Sequence, residues 1–181
     1  MLSDERIVDM IVQGRVELFD ELLSRYRRPV YRLACSILGR DEAEDAVQEV
    51  FIRAFKNISG YSESGRFWGW LRRITINVCL KKTRPVVISL DEIDEMPGHE
   101  TDSVSESVIS AIESAELKAL IRELPSVYRY VIVLKYLEDM SYTEIAEVLG
   151  ESVSNIGVRL HRAKEMLRAR MKVDADDMQR I

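Results

Sequence analysis

Apolar residues recur at spacings of three and four along most of this chain, which is the pattern of amphipathic α-helices. A short helix is predicted over residues 4–13, with Gly14 ending it. A longer apolar series follows over residues 16–38, and Pro29 is expected to kink or divide that helix. The pattern therefore predicts an all-α protein.

The next helix is predicted to have Asp41 as its N-cap and to bury one side against a core. The residues of the buried stripe are Ala43, Ala46, Val47, Val50, Phe51, Ala54, Phe55 and Ile58. The residues of the opposite side are Asp45, Gln48, Glu49, Ile52, Arg53 and Lys56. An isoleucine among charges is usually a tolerated surface residue, although it can also anchor a protein interface. From spacing alone, the surface interpretation of Ile52 is favoured.

Residues 140–168 carry the signals of two helices joined by a short turn. Ser141 and Glu144 form a capping box that predicts a helix start, and Gly150 marks the end of that helix. Ser152 can cap a second helix, which buries a stripe on one side. The residues of that stripe are Ile156, Leu160, Ala163 and Leu167. This arrangement predicts a helix-turn-helix.

The outward side of the second helix begins with small and polar residues and continues with arginines, which suits a helix entering a DNA major groove. The residues of this side are Ser154, Asn155, Val158, Arg159 and Arg162. An ordinary helical hairpin with a solvated basic face is the alternative. Residues 154–172 contain six basic residues and one acidic residue in a chain of net charge −5, and this asymmetry favours a nucleic-acid surface.

A second basic concentration occupies residues 66–84, which contain six basic residues and no acidic one. One line along this predicted helix consists of Arg66, Trp70, Arg73, Asn77, Lys81 and Arg84. Such a line can follow a phosphate backbone while its aromatic ring stacks on an unpaired base. Alternatively, Trp68 and Trp70 are partly buried and the cations are solvated, but this interpretation does not explain the excess of charge.

The acidic residues are concentrated between these two basic parts. Residues 85–115 contain eight acidic residues and no lysine or arginine, and residues 85–110 show no sustained helical period. We therefore expect two small helical domains, residues 1–84 and 111–181, joined by an acidic flexible linker at 85–110. With 46% hydrophobic and 31% charged residues, the chain has the composition of a soluble globular protein.

Neither cysteines nor histidines suggest chemistry. Cys35 and Cys79 lie in apolar helical patterns without a further Cys or His at metal-ligand spacing. His99 and His161 have no recognisable nucleophile near them in a catalytic setting. We predict no enzyme activity, no metal and no cofactor. The apolar runs are too short to span a membrane and no signal peptide is evident, so a cytoplasmic protein without membrane insertion is expected.

Three segments together resemble the extracytoplasmic-function (ECF) sigma factors of bacteria. They are DEAEDAVQEVFIRAF at residues 41–55, FWGWLRRITIN at residues 67–77, and the run from LPSVYR to LHRAK at residues 124–164. The resemblance covers nearly the whole chain in the family order. It implies two helical domains that bind core RNA polymerase and promoter DNA in duplex and single-stranded form, and an anti-sigma protein as a further partner.

The resemblance also implies roles for particular residues. The polymerase-binding residues would be Asp45, Gln48, Glu49, Ile52 and Arg53. The residues that open and read the start-proximal promoter element would be Tyr61, Arg66, Trp70, Arg73, Asn77, Lys81 and Arg84. The upstream element would be contacted by Arg129, Ser152, Ser154, Asn155, Val158, Arg159, Arg162, Lys164 and Arg168, of which Arg129, Lys164 and Arg168 would bind phosphates.

Some positions depart from the family pattern. Gly157 and Val158 stand where Lys-Ser is common, which removes one cation from the recognition helix and adds a residue of low helix propensity. Lys81 stands where an aspartate is frequent, which makes this helix more basic. A promoter sequence therefore cannot be transferred from a relative.

Two other classes of protein remain open from the residues. A repressor or activator that binds duplex DNA alone would explain residues 152–168 but would leave residues 66–84 and the face of residues 45–53 without a function. An adaptor whose basic segments are neutralised by an acidic partner is the second alternative, and it is compatible with an anti-sigma partner.

Overall fold

The computed structural model describes residues 2–62, 66–83 and 115–178, and every regular element in these ranges is helical. The chain divides into two compact units, residues 1–84 and residues 85–181. The all-α prediction is confirmed. Arg84 and the predicted linker at 85–110 lie outside the described residues.

In the first unit, α2 (Phe19–Leu38), α3 (Arg40–Asn57) and α4 (Phe67–Lys82) pack pairwise around the core, and α1 (Asp4–Val12) covers α2. Short 3₁₀ turns at Val16–Leu18 and Ile58–Gly60 join them. Fully buried apolar side chains from all four helices form the core, including Ile7, Leu22, Leu33, Ile37, Phe67 and Leu71.

Three details of this unit bear on the sequence predictions. Of the two outcomes predicted at Pro29, division does not occur: α2 is one continuous helix, in which buried side chains after the proline offset a cost of about 3 kcal/mol. Asp41 is not the N-cap: α3 begins at Arg40, and Gly39 takes the cap position with φ +94° and ψ 177°, a conformation open essentially to glycine alone. Phe55 is 43% exposed and does not belong to the core stripe.

The second unit contains α5 (Ala115–Glu123), α6 (Ser126–Ile132), α7 (Tyr142–Leu149) and α8 (Val153–Met178), with a π-helical turn at Val133–Leu137 continuing α6. The predicted helix-turn-helix is formed by α7 and α8. Ser141 Oγ accepts a hydrogen bond from the Glu144 amide at 3.2 Å, and Glu144 Oε2 accepts one from the Ser141 amide at 2.8 Å, which confirms the capping box.

The turn between α7 and α8 also follows the prediction. Gly150 ends α7 in the left-handed conformation at φ +69°, and the Asn155 amide donates to Ser152 Oγ at 3.1 Å to cap α8. The predicted stripe of α8 is buried at all four positions, Ile156, Leu160, Ala163 and Leu167. The outward side of α8 is thereby fixed.

Candidate protein-docking and nucleic-acid interfaces

An apolar groove of about 490 Å³ lies between α2 and α3. Ile52 is 55% exposed in it, and Phe55, which packs edge-on against Phe19 at a centroid distance of 5.0 Å, forms part of its lining. The lining residues in order are Phe19, Leu23, Arg27, Glu44, Val47, Gln48, Phe51, Ile52, Phe55 and Lys56. An exposed apolar groove of this kind, rimmed by charges, suits a protein partner.

The groove includes only part of the predicted polymerase-binding set. Gln48 and Ile52 line it, and Asp45 is exposed on the same helix. Glu49 instead forms an ion pair with Arg53 and lies 3.9 Å from Lys82 Nζ on α4, so this pair faces the edge of α3 nearer α4. Phe19, Leu23 and Phe55 also line the groove but were not predicted to, because their apolar character indicated core. In the structure Phe19 is buried at the base of the groove, Leu23 is partly exposed and Phe55 is exposed.

An aromatic cluster stands at the start of α4. The Tyr61, Phe67 and Trp70 rings lie at centroid distances of 5.4–5.6 Å from one another. Phe67 is buried, whereas Tyr61 and Trp70 are partly exposed. The structure thus brings together two of the aromatic residues proposed for single-stranded DNA and supports them on a core residue.

Trp68 is partly buried beside this cluster and lies parallel to the Tyr26 ring at 6.0 Å. The Tyr26 hydroxyl donates to Asp4 Oδ2, and burial together with this bond raises the pKa of Tyr26. Arg25 Nη1 donates to Asp4 Oδ1 at 2.7 Å. Asp4 therefore ties α1 to α2, and Trp68 packs on that junction; this network was not foreseen because its residues are far apart in sequence.

The polar residues predicted for start-proximal DNA follow one side of α4. Arg66, at its N-cap, and Arg73, Asn77 and Lys81 are all exposed. Beneath them Thr75 is buried, and its hydroxyl donates to the Leu71 carbonyl at 2.8 Å, which satisfies it within the helix. These residues form a basic, solvent-facing surface next to the aromatic cluster.

Helix α8 presents Ser154 as exposed and Asn155, Val158 and Arg162 as partly exposed. Arg159 is held differently: its Nη1 lies 2.6 Å from Glu151 Oε1 in the turn before the helix. Glu151 was not predicted as a site residue, because the pair joins the turn before α8 to the helix itself and so follows no i, i+3 or i, i+4 spacing within one helix.

The predicted phosphate contacts occupy three different settings. Lys164 Nζ lies 5.6 Å from the centroid of the Tyr136 ring, and Arg168 is exposed. Arg129 is half-buried, its Nη2 donates to the Leu124 carbonyl at 3.0 Å, and burial lowers its pKa. This geometry gives Arg129 a structural bond at the start of α6, and its contact with phosphate stays a prediction.

Among the residues with described positions, no cluster of His, Cys, Asp or Glu is arranged to hold a metal ion. Cys35 and Cys79 are free thiols, and burial raises the pKa of Cys79 to about 12, so this thiol is unreactive at neutral pH. Within the same residues, no helix combines the length and apolarity that crossing a bilayer requires.

Residues 22–84 match the family model described as Sigma-70 region 2, and residues 114–167 match the one described as Sigma-70, region 4. The class defined by these two regions is that of the sigma-70 proteins. The chain is 32% identical to the ECF RNA polymerase sigma factor SigW of Bacillus subtilis (strain 168), over 95% of this chain and 98% of that protein. The chain belongs to the ECF RNA polymerase sigma factor family.

A further relative agrees with this assignment, and a solved structure shares the fold. The ECF RNA polymerase sigma-E factor of Escherichia coli (strain K12) is 28% identical over 92% of this chain and 93% of its own length. The sigma factor RpoE of Bartonella quintana, solved in complex with the anti-sigma factor NepR, has a TM-score of 0.60 at 20% identity, covering 86% of this chain and 98% of that one. The latter likeness shows a shared fold.

Proposed function

We propose that this chain binds core RNA polymerase and directs it to a specific set of promoters as an alternative sigma factor, without catalysing a reaction itself. The observation that carries the proposal is the exposed apolar groove with Ile52 at its surface, on the same compact unit as the basic and aromatic side of α4. A repressor that binds DNA alone has no use for such a groove. The core polymerase is a cytoplasmic enzyme, and we place the chain there with it.

The first contact in this scheme is with polymerase. Asp45, Gln48 and Ile52 would meet the clamp together with the apolar groove residues, while the Glu49–Arg53 pair would set the polar edge of the interface. Burying an exposed isoleucine contributes about 1.5–3 kcal/mol to association, before the entropic cost of binding. The charged rim would then select the correct partner.

The second contact is with the opened start-proximal element. Tyr61 and Trp70 would stack on bases that leave the duplex, so that part of the stacking lost on strand separation is regained in the protein. The cations along α4 would bind the backbone of the opened strand, with Asn77 among them as an amide that can bond to a base edge. These cations are Arg66, Arg73 and Lys81. Arg84, which lies outside the described residues, would contribute a fourth cation, as the sequence pattern predicts.

The third contact is with duplex DNA upstream. The first turns of α8 would enter the major groove, where Ser154, Asn155, Val158, Arg159 and Arg162 would face base edges. Ser152 would stay near the backbone while capping α8, and Arg129, Lys164 and Arg168 would contact phosphates. Phosphate contacts position the protein, and base contacts specify the sequence.

The deciding experiment is transcription from a pool of genomic promoter fragments by purified core polymerase, with and without the chain. We expect defined transcripts only when the chain is present, together with a stable complex of chain and core on size-exclusion chromatography. A chain that shifts duplex DNA alone but forms no complex with core polymerase would support the repressor alternative instead.

We further propose that an anti-sigma protein masks the groove of α2 and α3 when the factor is inactive. The RpoE structure of Bartonella quintana is itself a complex with an anti-sigma factor. An amphipathic helix of an inhibitor would fit an apolar groove of this kind. If so, the inhibitor and core polymerase compete, and excess core polymerase should displace it; simultaneous binding of both would contradict this regulation.

A further inference from the structure

The turn of the helix-turn-helix holds a carboxylate against the recognition helix. Glu151 Oε1 lies 2.6 Å from Arg159 Nη1, and the two side chains are only 20% and 26% exposed. At this distance and degree of burial the bond is a charge-assisted hydrogen bond rather than a loose surface ion pair. Arg159 therefore has a defined orientation before any DNA is present.

The backbone explains why Glu151 can do this. The amides of Gly150 and Glu151 both donate to the Ala146 carbonyl, and the left-handed Gly150 directs the chain into the cap of α8. The Cα of Glu151 is thus fixed relative to the start of α8, and Arg159 lies about two helical turns further along that helix. The turn places the carboxylate on the outward side of α8.

The chemistry of arginine gives the pair a consequence. An arginine has five N–H donors, and bidentate bonding to the O6 and N7 of guanine needs two of them in a fixed direction. The Glu151 carboxylate oxygen occupies Nη1 of Arg159 and leaves the other N–H donors of the guanidinium available. It also restricts the rotamers that the long Arg159 side chain can adopt. The other oxygen, Glu151 Oε2, is buried with no hydrogen-bond partner among the described residues, an arrangement that is costly if the pair serves stability alone.

We propose that Glu151 is a positioning residue that sets the direction in which Arg159 reads the upstream promoter element. This inference rests on the proposed function, since it assumes that α8 reads duplex DNA. Without the carboxylate, the guanidinium can turn to the nearest phosphate, where it adds affinity but no sequence information. Glu151 would thereby lower the affinity for non-specific DNA and increase the discrimination between base pairs.

The test uses full-length chain assembled with core polymerase and a duplex library randomised over the upstream element. Glu151→Gln removes the charge at nearly constant size, and Glu165→Gln makes the same change within α8 at the exposed His161 pair. We expect Glu151→Gln to relax discrimination at one base pair by about tenfold, the size of one bidentate base contact. We also expect a salt dependence steeper by about one phosphate contact, while Glu165→Gln changes the preference at no position.

The double variant separates positioning from other roles. In an Arg159→Ala background, Glu151→Gln should change base preference no further, because there is no guanidinium left to orient. If Glu151→Gln keeps its discrimination between base pairs, the inference is overturned. A lower Tm would then assign Glu151 a packing role, and a uniformly higher affinity would assign it a role in offsetting the charge of Arg159. If Glu151→Gln folds poorly, Glu151→Asp keeps the charge with a shorter reach, and an unchanged base preference in that variant would equally overturn it.

The same experiment keeps the two proposals apart. If Arg159→Ala itself preserves discrimination at every position, Arg159 does not read bases, and that part of the proposed function fails. If Arg159→Ala loses discrimination at one base pair and Glu151→Gln retains it, only the positioning role of Glu151 fails.

Discussion

The two compact units hold the residues that we propose to contact DNA in different ways. In the first unit, Arg66, Arg73 and Lys81 are exposed along α4 beside a partly exposed aromatic cluster. In the second unit, Arg159 is paired with Glu151, and Lys164 lies over the Tyr136 ring. A single strand is flexible and demands adaptable cations and stacking surfaces, whereas a duplex groove is regular and rewards donors that are oriented in advance.

In the proposed function both DNA surfaces act only once the chain is docked on core polymerase, so the largest effect is expected at the groove. Ile52→Asp should weaken the complex with core polymerase by about 3 kcal/mol, roughly hundredfold, since the complex would bury the isoleucine and would have to desolvate an aspartate in its place. Isothermal titration calorimetry with purified core enzyme measures this loss. Val12→Asp is the matched control, because Val12 is 55% exposed on α1 and does not line the groove. Equal losses from both variants would remove the groove from the polymerase interface.

A substitution in the aromatic cluster tests whether the first unit stacks on unpaired bases. Trp70→Ala should allow closed complexes to form but reduce strand opening by about 2 kcal/mol, the value of stacking one base. Permanganate footprinting of unpaired thymines measures the opening, and Trp70→Phe should retain most of it. Normal permanganate reactivity with Trp70→Ala would mean that the tryptophan only supports the fold.

Two substitutions test whether the second unit holds its cations in directions suited to duplex DNA. Arg159→Ala should cost about 1–3 kcal/mol at the preferred site and change base preference, because a base contact is lost. Lys164→Ala should weaken all sequences alike and reduce the salt slope by about one. Fluorescence anisotropy of the polymerase complex on matched and mismatched duplexes measures both. Sequence-blind losses of equal size from the two variants would refute this division of roles.

The smallest effect is expected at Gly157 in α8. A Cβ at this position would meet Tyr142 Cε2 at 3.9 Å, an ordinary van der Waals contact, so Gly157→Ala should fit. It should raise the free energy of unfolding of the second unit by up to about 1 kcal/mol through helix propensity. Differential scanning calorimetry measures the change. A lower stability would show that α8 needs the glycine at this place, for example for a local bend.

Much of the fold was accessible from the sequence because its signals are local. The Ser141–Glu144 capping box, the left-handed Gly150 and the four-residue core stripe of α8 all depend on spacings within one or two helical turns, and all are confirmed. The basic and aromatic side of α4 was likewise visible as a periodic pattern.

Only the tertiary structure decided which apolar residues are exposed in the groove between two helices and which charged residues form ion pairs. Phe55 follows the period of a core residue, but the packing of α2 against α3 leaves it exposed against Phe19 in a groove. Arg159 has the spacing of a surface cation, but the turn after α7 brings Glu151 against it. Hydrophobic period and capping are properties of a single helix. A groove between helices, or an ion pair between a turn and a helix, depends on how separate elements come together in space, which the spacing within one helix does not record.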